Sequence, residues 1–384
     1  MNTYLPYGYH YAQGDGWSIV CSQDRQENIA VELIRRALGF ILGFDLVHAW
    51  RNRDALRSAD VVWTHTEREH LAAALLLSLS RHRPPKLLAQ CIWLFDNWGG
   101  LSTPKRALYR YLLSYADIIT TQSPEDLNLA RTLFPAQPAA CILSGGAVKW
   151  MRPPRKAPVH RPVRLAALGN DMHRDWHTLL RAFGGRSEYE LVIASRKLAR
   201  RHLRNAPNVR LASAETEADV HQLYQWADIV VVPLKHNRHV SGITVIFEGI
   251  ISGLPVVSTD TGGLRAYFSD DEIAYVPLNA PEAMRGMVDL LCADHARRLM
   301  MTANAQRRML TGELTKQGYA KRHRNLTEDL LRTSNSSLPA TNNGEFPAAL
   351  EAPREVNVFV LLGHGFGADR WRERYECGLI PGLN

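Results

Sequence analysis

The sequence predicts an α/β protein with two doubly wound parallel sheets. Three observations lead there. Short β-branched runs alternate with amphipathic helical stretches along most of the 384 residues, the pattern of parallel strands buried on both faces. The alternation breaks once, at a Lys-, Arg- and Pro-rich stretch over 149–164, and then resumes. The length also exceeds what one domain of roughly 150 residues needs.

In the first series, strand-like residues 17–21 precede a helix over 27–41, and 61–64 precede 67–79. Residues 86–94 then precede 105–114, and 117–121 precede 125–133, the half ending near Leu143. The opening residues 3–10 read as a loop. In the second series, 163–168 leads to a helix over 174–183, 191–194 to 197–204, 209–211 to 217–226, and 229–232 to 245–251. Val256 and Val257 run into the pair Gly262 and Gly263, and helices from 281 to about 331 close the half. Two Rossmann-like halves result.

Residues 332–355, rich in Ser, Asn, Thr, Pro and Ala, read as a flexible tether. After it, 356–362 is an apolar strand running into the glycine-rich turn 363–369 and a helix over 370–377. This tail is too short for a core of its own, so its strand must join another sheet. The first half lacks the glycine-rich βα turn with which such a domain usually opens. The expectation is a circular permutant, with domains 1–150 plus 356–384, 151–331, and a linker over 332–355. The alternative is an extension that adds an edge strand; an interior position of 356–362 separates the two.

Hydrophobic residues at 46% and charged residues at 22% exclude global disorder and a small disulfide scaffold. The net charge of +8 points to an anionic partner. Five widely spaced cysteines without a C-x-x-C pair argue against a zinc site or a disulfide framework and suit a reducing compartment. No leader peptide or 18-residue apolar span is read, so a cytoplasmic protein is expected, peripheral at the inner face of the membrane. Basic clusters over 81–86, 105–110, 152–164 and 197–204, with Trp150 and Met151 nearby, suit an anionic bilayer. No nucleic-acid-binding module is present, so nucleic acid is not an expected partner.

The strongest motif is S-G-I-T-V-I-F-E-G-I-I-S-G-L-P-V-V-S-T-D-T-G-G over 241–263. It resembles the donor-binding segment of GT-B nucleotide-sugar glycosyltransferases, particularly the bacterial family four, in which a Glu-bearing helix leads to Gly-x-Pro-Val-Val and a Thr-Gly-Gly turn. Ser241, Gly242 and Thr244 at a helix start form an anion site for a diphosphate. The resemblance makes Glu248 the acceptor of ribose hydroxyl hydrogen bonds. Inside so apolar a helix, it needs a polar partner. Many members carry a second glutamate eight positions earlier; here Val240 stands there, with His239 beside it as a substitute donor contact or an exposed loop residue. After the first strand of the second half, Asn170 and Arg174 are donor-binding candidates, Arg174 matching a basic residue that faces the diphosphate. Arg196 and Lys197 follow the next strand in the same way.

In the first half, Asp96 follows a strand amid Trp93, Phe95 and Trp98 and is the candidate general base; capping the following turn is its alternative. His65 and Glu67 are candidates for binding or activating the acceptor, with Thr66 and Glu67 as a plain helix cap the alternative. The turn G-H-G-F-G-A at 363–368 fits a dinucleotide fingerprint but lacks the acidic residue about 20 positions on. In the GT-B reading Gly365, His364, Asp369 and Trp98 lie on the acceptor side.

The resemblance implies transfer of a sugar from a nucleotide diphosphate-sugar, UDP-sugar slightly favoured over GDP-sugar, to a saccharide or polyprenyl-diphosphate-linked acceptor. No metal or other cofactor is expected in the chemical step. Rival readings are a GT-B-fold sugar-nucleotide epimerase and a non-catalytic nucleotide- or glycan-binding protein.

Overall fold

The computed structural model describes residues 6–80, 84–214, 216–336 and 355–364. Its first elements are β1 (Trp17–Cys21), α1 (Ile29–Leu42), α2 (Leu46–Arg51), α3 (Arg53–Ser58), β2 (Val61–Thr64), α4 (Glu67–Ser78) and β3 (Lys86–Cys91). These are followed by α5 (Leu94–Asn97), α6 (Thr103–Leu113), β4 (Ile118–Thr121), α7 (Pro124–Leu133) and β5 (Ala139–Cys141). The second series comprises β6 (Val163–Leu168), α8 (Trp176–Phe183), β7 (Tyr189–Ala194), β8 (Val209–Ala212), α9 (Glu217–Trp226), β9 (Ile229–Val232) and α10 (Ile243–Ile251). It continues through β10 (Val256–Thr259), β11 (Ala274–Val276), α11 (Pro281–Ala293) and α12 (His295–Thr311). Last come α13 (Lys316–Ser336) and β12 (Val356–Leu361).

Two compact units divide these residues. The first holds the chain up to Gln122, Asp126–Ile142 and the described residues from Gln317 onward; the second holds Ser123–Glu125 and Leu143–Lys316. Each contains one six-stranded parallel sheet, ordered β1-β12-β2-β3-β4-β5 in the first and β11-β10-β9-β6-β7-β8 in the second. This is the α/β architecture predicted.

β12 is interior. Trp17 pairs with Val356 on one side of it and Val358 with Val61 on the other, all parallel. Its residues alternate between two cores. Phe359 and Leu361 pack with Leu71, Leu76 and Leu87, whereas Val358, Val360 and Leu362 pack with Trp17, Trp63 and Tyr319. A strand apolar on both faces has no place at a solvated edge, which is why so short a segment is ordered within the sheet. Most of the segment read as a tether, and the tail beyond His364, lie outside the described residues.

Two boundaries differ from the sequence reading. The helix grouped with the second half up to residue 331 runs on to Ser336, and from Gln317 it belongs to the first unit. Its stripe Tyr319, His323 and Thr327, spaced by four, faces inward, and the Trp63 indole donates to Thr327 Oγ1 at 2.9 Å. Helical periodicity shows that a face is buried, not which sheet buries it. The stretch 3–10, read as a loop, belongs from Pro6 to a 3₁₀ turn, Pro6–Ala12, that places Tyr9 fully inside this core. The sequence reading also missed the short elements α2, α3, α5 and β5.

In the second sheet, the chain runs outward through β6, β7 and β8 and then returns to place β9 on the other side of β6. The order therefore reverses between β6 and β9, and ligands in open α/β sheets bind beyond the carboxyl ends of the strands at such a point. The segments leaving those two ends carry Gly169–Arg174 and Pro233–Gly242. Among the described residues, no helix is long and apolar enough to cross a membrane.

Candidate functional site

At the end of β6 the backbone turns through Gly169 at φ +140°, and the side chain of Arg174 folds back beneath it. The Arg174 guanidinium donates from Nε to the Leu168 carbonyl and from Nη1 to Ser241 Oγ, both at 3.0 Å, and the residue is only 6% exposed. A Cβ on residue 169 would lie 2.1 Å from that Nε. On the facing segment Gly242, at φ +84°, caps α10; a Cβ there would meet Val232 Cγ1 at 2.7 Å and Arg174 Nη1 at 3.3 Å. Both glycines thus exist so that Arg174 can reach the start of α10. Gly169→Ala combines a disfavoured φ with this overlap and is expected to cost about 1–3 kcal/mol, measured by urea unfolding.

α10 is fixed by its own apolar face, with Ile243, Val245, Ile246, Phe247, Ile250 and Ile251 buried. No side chain caps its first turn, where Thr244 is exposed. The Ile243 amide donates to the Val240 carbonyl; the rest of the first turn and the helix dipole, together with the Arg174 charge, make a cradle for an anion.

One turn further on, Glu248 is half-buried and accepts a hydrogen bond from the Tyr224 hydroxyl at 2.7 Å. Burial pushes its carboxyl up to about 7, although the Tyr224 hydroxyl, Lys316 and Arg174 pull the other way. The polar partner that the sequence demanded is therefore Tyr224, which lies on α9 and could not be read from local spacing.

Asp171 ties the two segments together. Its Oδ1 accepts from the His173 amide at 2.9 Å and lies 3.2 Å from His173 Nδ1; its Oδ2 accepts from the Ser241 hydroxyl and lies 3.6 Å from His239 Nε2. Burial opposes charge on this carboxylate, but hydrogen bonds from His173, His239 and Ser241 outweigh it and hold its pKa far below the usual range. His239 is 4% exposed, which removes the exposed-loop alternative. Asp171 and His173, which stand between the candidates Asn170 and Arg174, were given no role from the sequence; an acid and a histidine just past a strand's carboxyl end were the available signal.

Asn170 turns the other way, its Oδ1 accepting the Arg196 amide at 2.7 Å and so fastening the ends of β6 and β7. The side chains of Arg196 and Lys197 are exposed near that joint. Of the predicted donor residues, the structure brings Arg174, His239, Ser241 and Gly242 into one place, with Thr244 and Glu248 following on α10, whereas Asn170, Arg196 and Lys197 meet at the joint between the ends of β6 and β7.

In the first unit the candidates separate. His65 is held in an aromatic network: Tyr7 stacks on its ring at 3.5 Å, and the Tyr9 hydroxyl is 3.2 Å from its Nδ1. Burial, assisted by His323, lowers its pKa to about 3, which makes it a poor base near neutrality. Glu67 accepts the amides of Ile92 and Trp93 at 3.3 Å each and so anchors the turn leading to Asp96, half-buried in α5. The cap of α4 is a reciprocal box between Thr66 and Glu69, not Thr66 with Glu67. Trp98, expected on the acceptor side, is instead 7% exposed, packed edge-on to Phe134 with Arg110 over its ring. His364 lies just past β12 with its Nε2 3.8 Å from Glu27 Oε1; Gly365 and Asp369 fall outside the described residues. The sequence did not indicate an open cavity of about 450 Å³ in this unit, lined by Arg36, Phe40, Glu67, Arg68, Leu101 and Tyr109 among others.

Residues 165–294 match the family model described as glycosyl transferases group 1. A search of curated proteins finds no significant sequence match. Among solved structures, sucrose-phosphate synthase from Thermosynechococcus elongatus is similar at TM-score 0.63 and 16% identity, covering 78% of this chain and 80% of that one. Anabaena HepE in complex with UDP and glucose is similar at TM-score 0.60 and 13% identity, over 86% and 95%. A glycosyltransferase from Rickettsia africae is similar at TM-score 0.56 and 13% identity, over 81% and 84%. The fold is GT-B, and the matched segment carries every residue of the anion cradle.

Proposed function

We propose that this chain, whose residues 165–294 form a group 1 glycosyl transferase domain, moves a sugar from a nucleotide diphosphate-sugar to an acceptor hydroxyl. The observation that carries this reading is the convergence of Arg174, Ser241 and the uncapped start of α10 at the switch point of the second sheet. As the bond from sugar to diphosphate breaks, negative charge grows on the leaving phosphate. A buried guanidinium and fixed amide dipoles offset that charge without reorganising. Glu248 then accepts hydrogen bonds from the ribose, with Tyr224 holding its other side. The UDP in the HepE structure supports UDP-sugar over GDP-sugar as the donor.

Asp96 serves as the base for the acceptor hydroxyl, and Glu67 positions the turn that carries it. The acceptor is a saccharide or a polyprenyl-diphosphate-linked one. In support of the latter, Arg36 and Arg68 line the open cavity beside Phe40, and α1 next to it exposes Ile29, Leu33, Phe40 and Ile41. Cationic groups beside an uncovered apolar helix face suit a peripheral position on an anionic membrane, at its cytoplasmic side. The interior place of β12 supports reading 356–362 as a displaced first strand of a permuted chain.

The test is a panel of labelled UDP- and GDP-sugars incubated with and without lipid-linked and free saccharide acceptors. Acceptor-dependent release of nucleoside diphosphate is expected. Conversion of the donor sugar without acceptor would make the chain an epimerase, and binding without release would make it a non-catalytic receptor. Asp96→Asn with full activity would remove Asp96 as base.

Glu248 also predicts a pH effect. Its carboxyl, like that of buried Glu69, is raised from 4.5 to about 7 in the folded chain. Between these values the unfolded chain has lost protons that the folded chain retains, so stability falls as pH rises through the window and levels off above it. Glu248→Gln is expected to reduce that slope in urea-unfolding series from pH 4 to 8, Glu69 supplying the remainder. The same variant should weaken UDP binding roughly tenfold, the scale of a lost charge-assisted hydrogen bond.

A further inference from the structure

We propose that His173, held by Asp171, is a second group that takes up the negative charge of the leaving diphosphate, with Asp171 as its positioning residue. This role rests on the donor reading above. A carboxylate beside an anion cradle is a contradiction in charge. Asp171 stands one hydroxyl away from Arg174: Ser241 donates to Asp171 Oδ2 and accepts from Arg174 Nη1 at 3.0 Å. For an arriving diphosphate these two opposite charges nearly cancel, because they lie so close together. Burial opposes the charge on Asp171, yet hydrogen bonds from His173, His239 and Ser241 keep it ionised. The imidazoles on that carboxylate are the groups that can restore a positive balance, since a carboxylate within hydrogen-bond reach favours the protonated ring.

His173 is the ring within a ligand's reach. Its Nδ1 lies 3.2 Å from Asp171 Oδ1, which also accepts the His173 amide at 2.9 Å, so one carboxylate oxygen holds both the backbone and the ring. The opposite nitrogen, Nε2, is thereby turned away from the carboxylate, and the side chain is 16% exposed. His239, 4% exposed and inclined at 69° to His173 with ring centres 4.9 Å apart, closes the inner side. A neutral imidazole bonded through Nδ1–H has only an acceptor left at Nε2, whereas an imidazolium donates from both nitrogens. A phosphate at Nε2 and Asp171 at Nδ1 therefore favour the same protonated ring, and the diphosphate gains a charge-assisted hydrogen bond. During transfer the bond from the anomeric carbon to the phosphate oxygen breaks and leaves its electron pair on that oxygen. The acceptor oxygen bonds the carbon and passes its proton to Asp96. The hydrogen bond from His173 Nε2 to the phosphate strengthens as charge grows there, and no proton leaves the ring.

The test measures the affinity of the full-length chain for UDP and GDP, and for their nucleosides, by calorimetry. His173→Gln should weaken binding of the accepted diphosphate about tenfold, the scale of a charge-assisted hydrogen bond, and leave nucleoside binding unchanged. On charge alone Asp171→Asn, which removes a carboxylate beside the anion, should tighten that binding. As the group that holds His173 protonated, its loss should weaken it. In the His173→Gln background, with no ring left to hold, the same substitution should tighten it. A merely structural role for Asp171 does not change sign between the two backgrounds. His221→Gln, exposed on α9, should change nothing. Thermal melts confirm folding, and His173→Gln, at a partly exposed residue, decides alone if Asp171→Asn does not fold. Unchanged diphosphate affinity in folded His173→Gln, an equal loss for the nucleoside, or tightening by Asp171→Asn with His173 present overturns the role of His173 and leaves the donor reading standing. A wild-type chain that binds neither UDP nor GDP overturns both.

Discussion

Arg174→Ala is expected to lower turnover of the donor sugar by about 10²–10³-fold, the scale on which one preorganised donor to a developing anion acts. Among the described residues, Arg174 is the guanidinium buried against the start of α10, and two positive-φ glycines leave room for it. The substitution also leaves the Leu168 carbonyl and the Ser241 hydroxyl without their donor and Asp171 without a nearby charge, at about 1–3 kcal/mol in stability. Arg174→Lys should recover little, because one ammonium cannot span Leu168 O and Ser241 Oγ with the same planar fork. Single-turnover rates and UDP affinities check both variants. A loss confined to stability, with turnover per folded molecule unchanged, would remove Arg174 from the donor site.

The largest stability effect is expected at β12. Phe359 is 2% exposed among Leu71, Leu76 and Leu87, so Phe359→Ala should cost about 3–5 kcal/mol in urea unfolding followed by tryptophan fluorescence. That is a large part of the roughly 5–15 kcal/mol that domains possess. Val20→Ala, on the edge strand of the same sheet and 50% exposed, should stay within about 0.5 kcal/mol. Equal costs at the two positions would contradict an interior β12.

Continuous apolar runs made the strands legible, as Ile229–Val232 and Val358–Leu361 show, because a parallel strand buried on both faces needs apolar side chains on both. The donor segment was legible too. Glycine, hydroxyl and acid stand at fixed offsets on one helix, and local spacing survives folding. What escaped was tertiary. Tyr224 meets Glu248 across 24 residues, and Asp171 meets Ser241 across 70. His65 looked reactive on a strand end but is closed in by Tyr7, Tyr9 and Gln90, which no neighbouring residue announces. Trp98 has the composition of a ligand platform yet fills the core, since an aromatic ring serves either purpose and only packing decides.

The placement of β12 also governs the order in which the protein can be assembled on the ribosome. Ser22 and Leu362, hydrogen-bonded at the ends of adjacent strands, are 340 residues apart. At about 5–20 residues per second, roughly 17–68 s separate synthesis of β1 from that of the strand completing its sheet. The second unit, almost continuous from Leu143 to Lys316, emerges whole before then. Until the final strand arrives, β1 and the flank of β2 present unpaired strand edges, the surfaces most prone to pairing with other chains. Holding nascent chains in that interval is work for a chaperone, and yield in cells should depend on its supply more steeply than the stability of the finished protein would suggest.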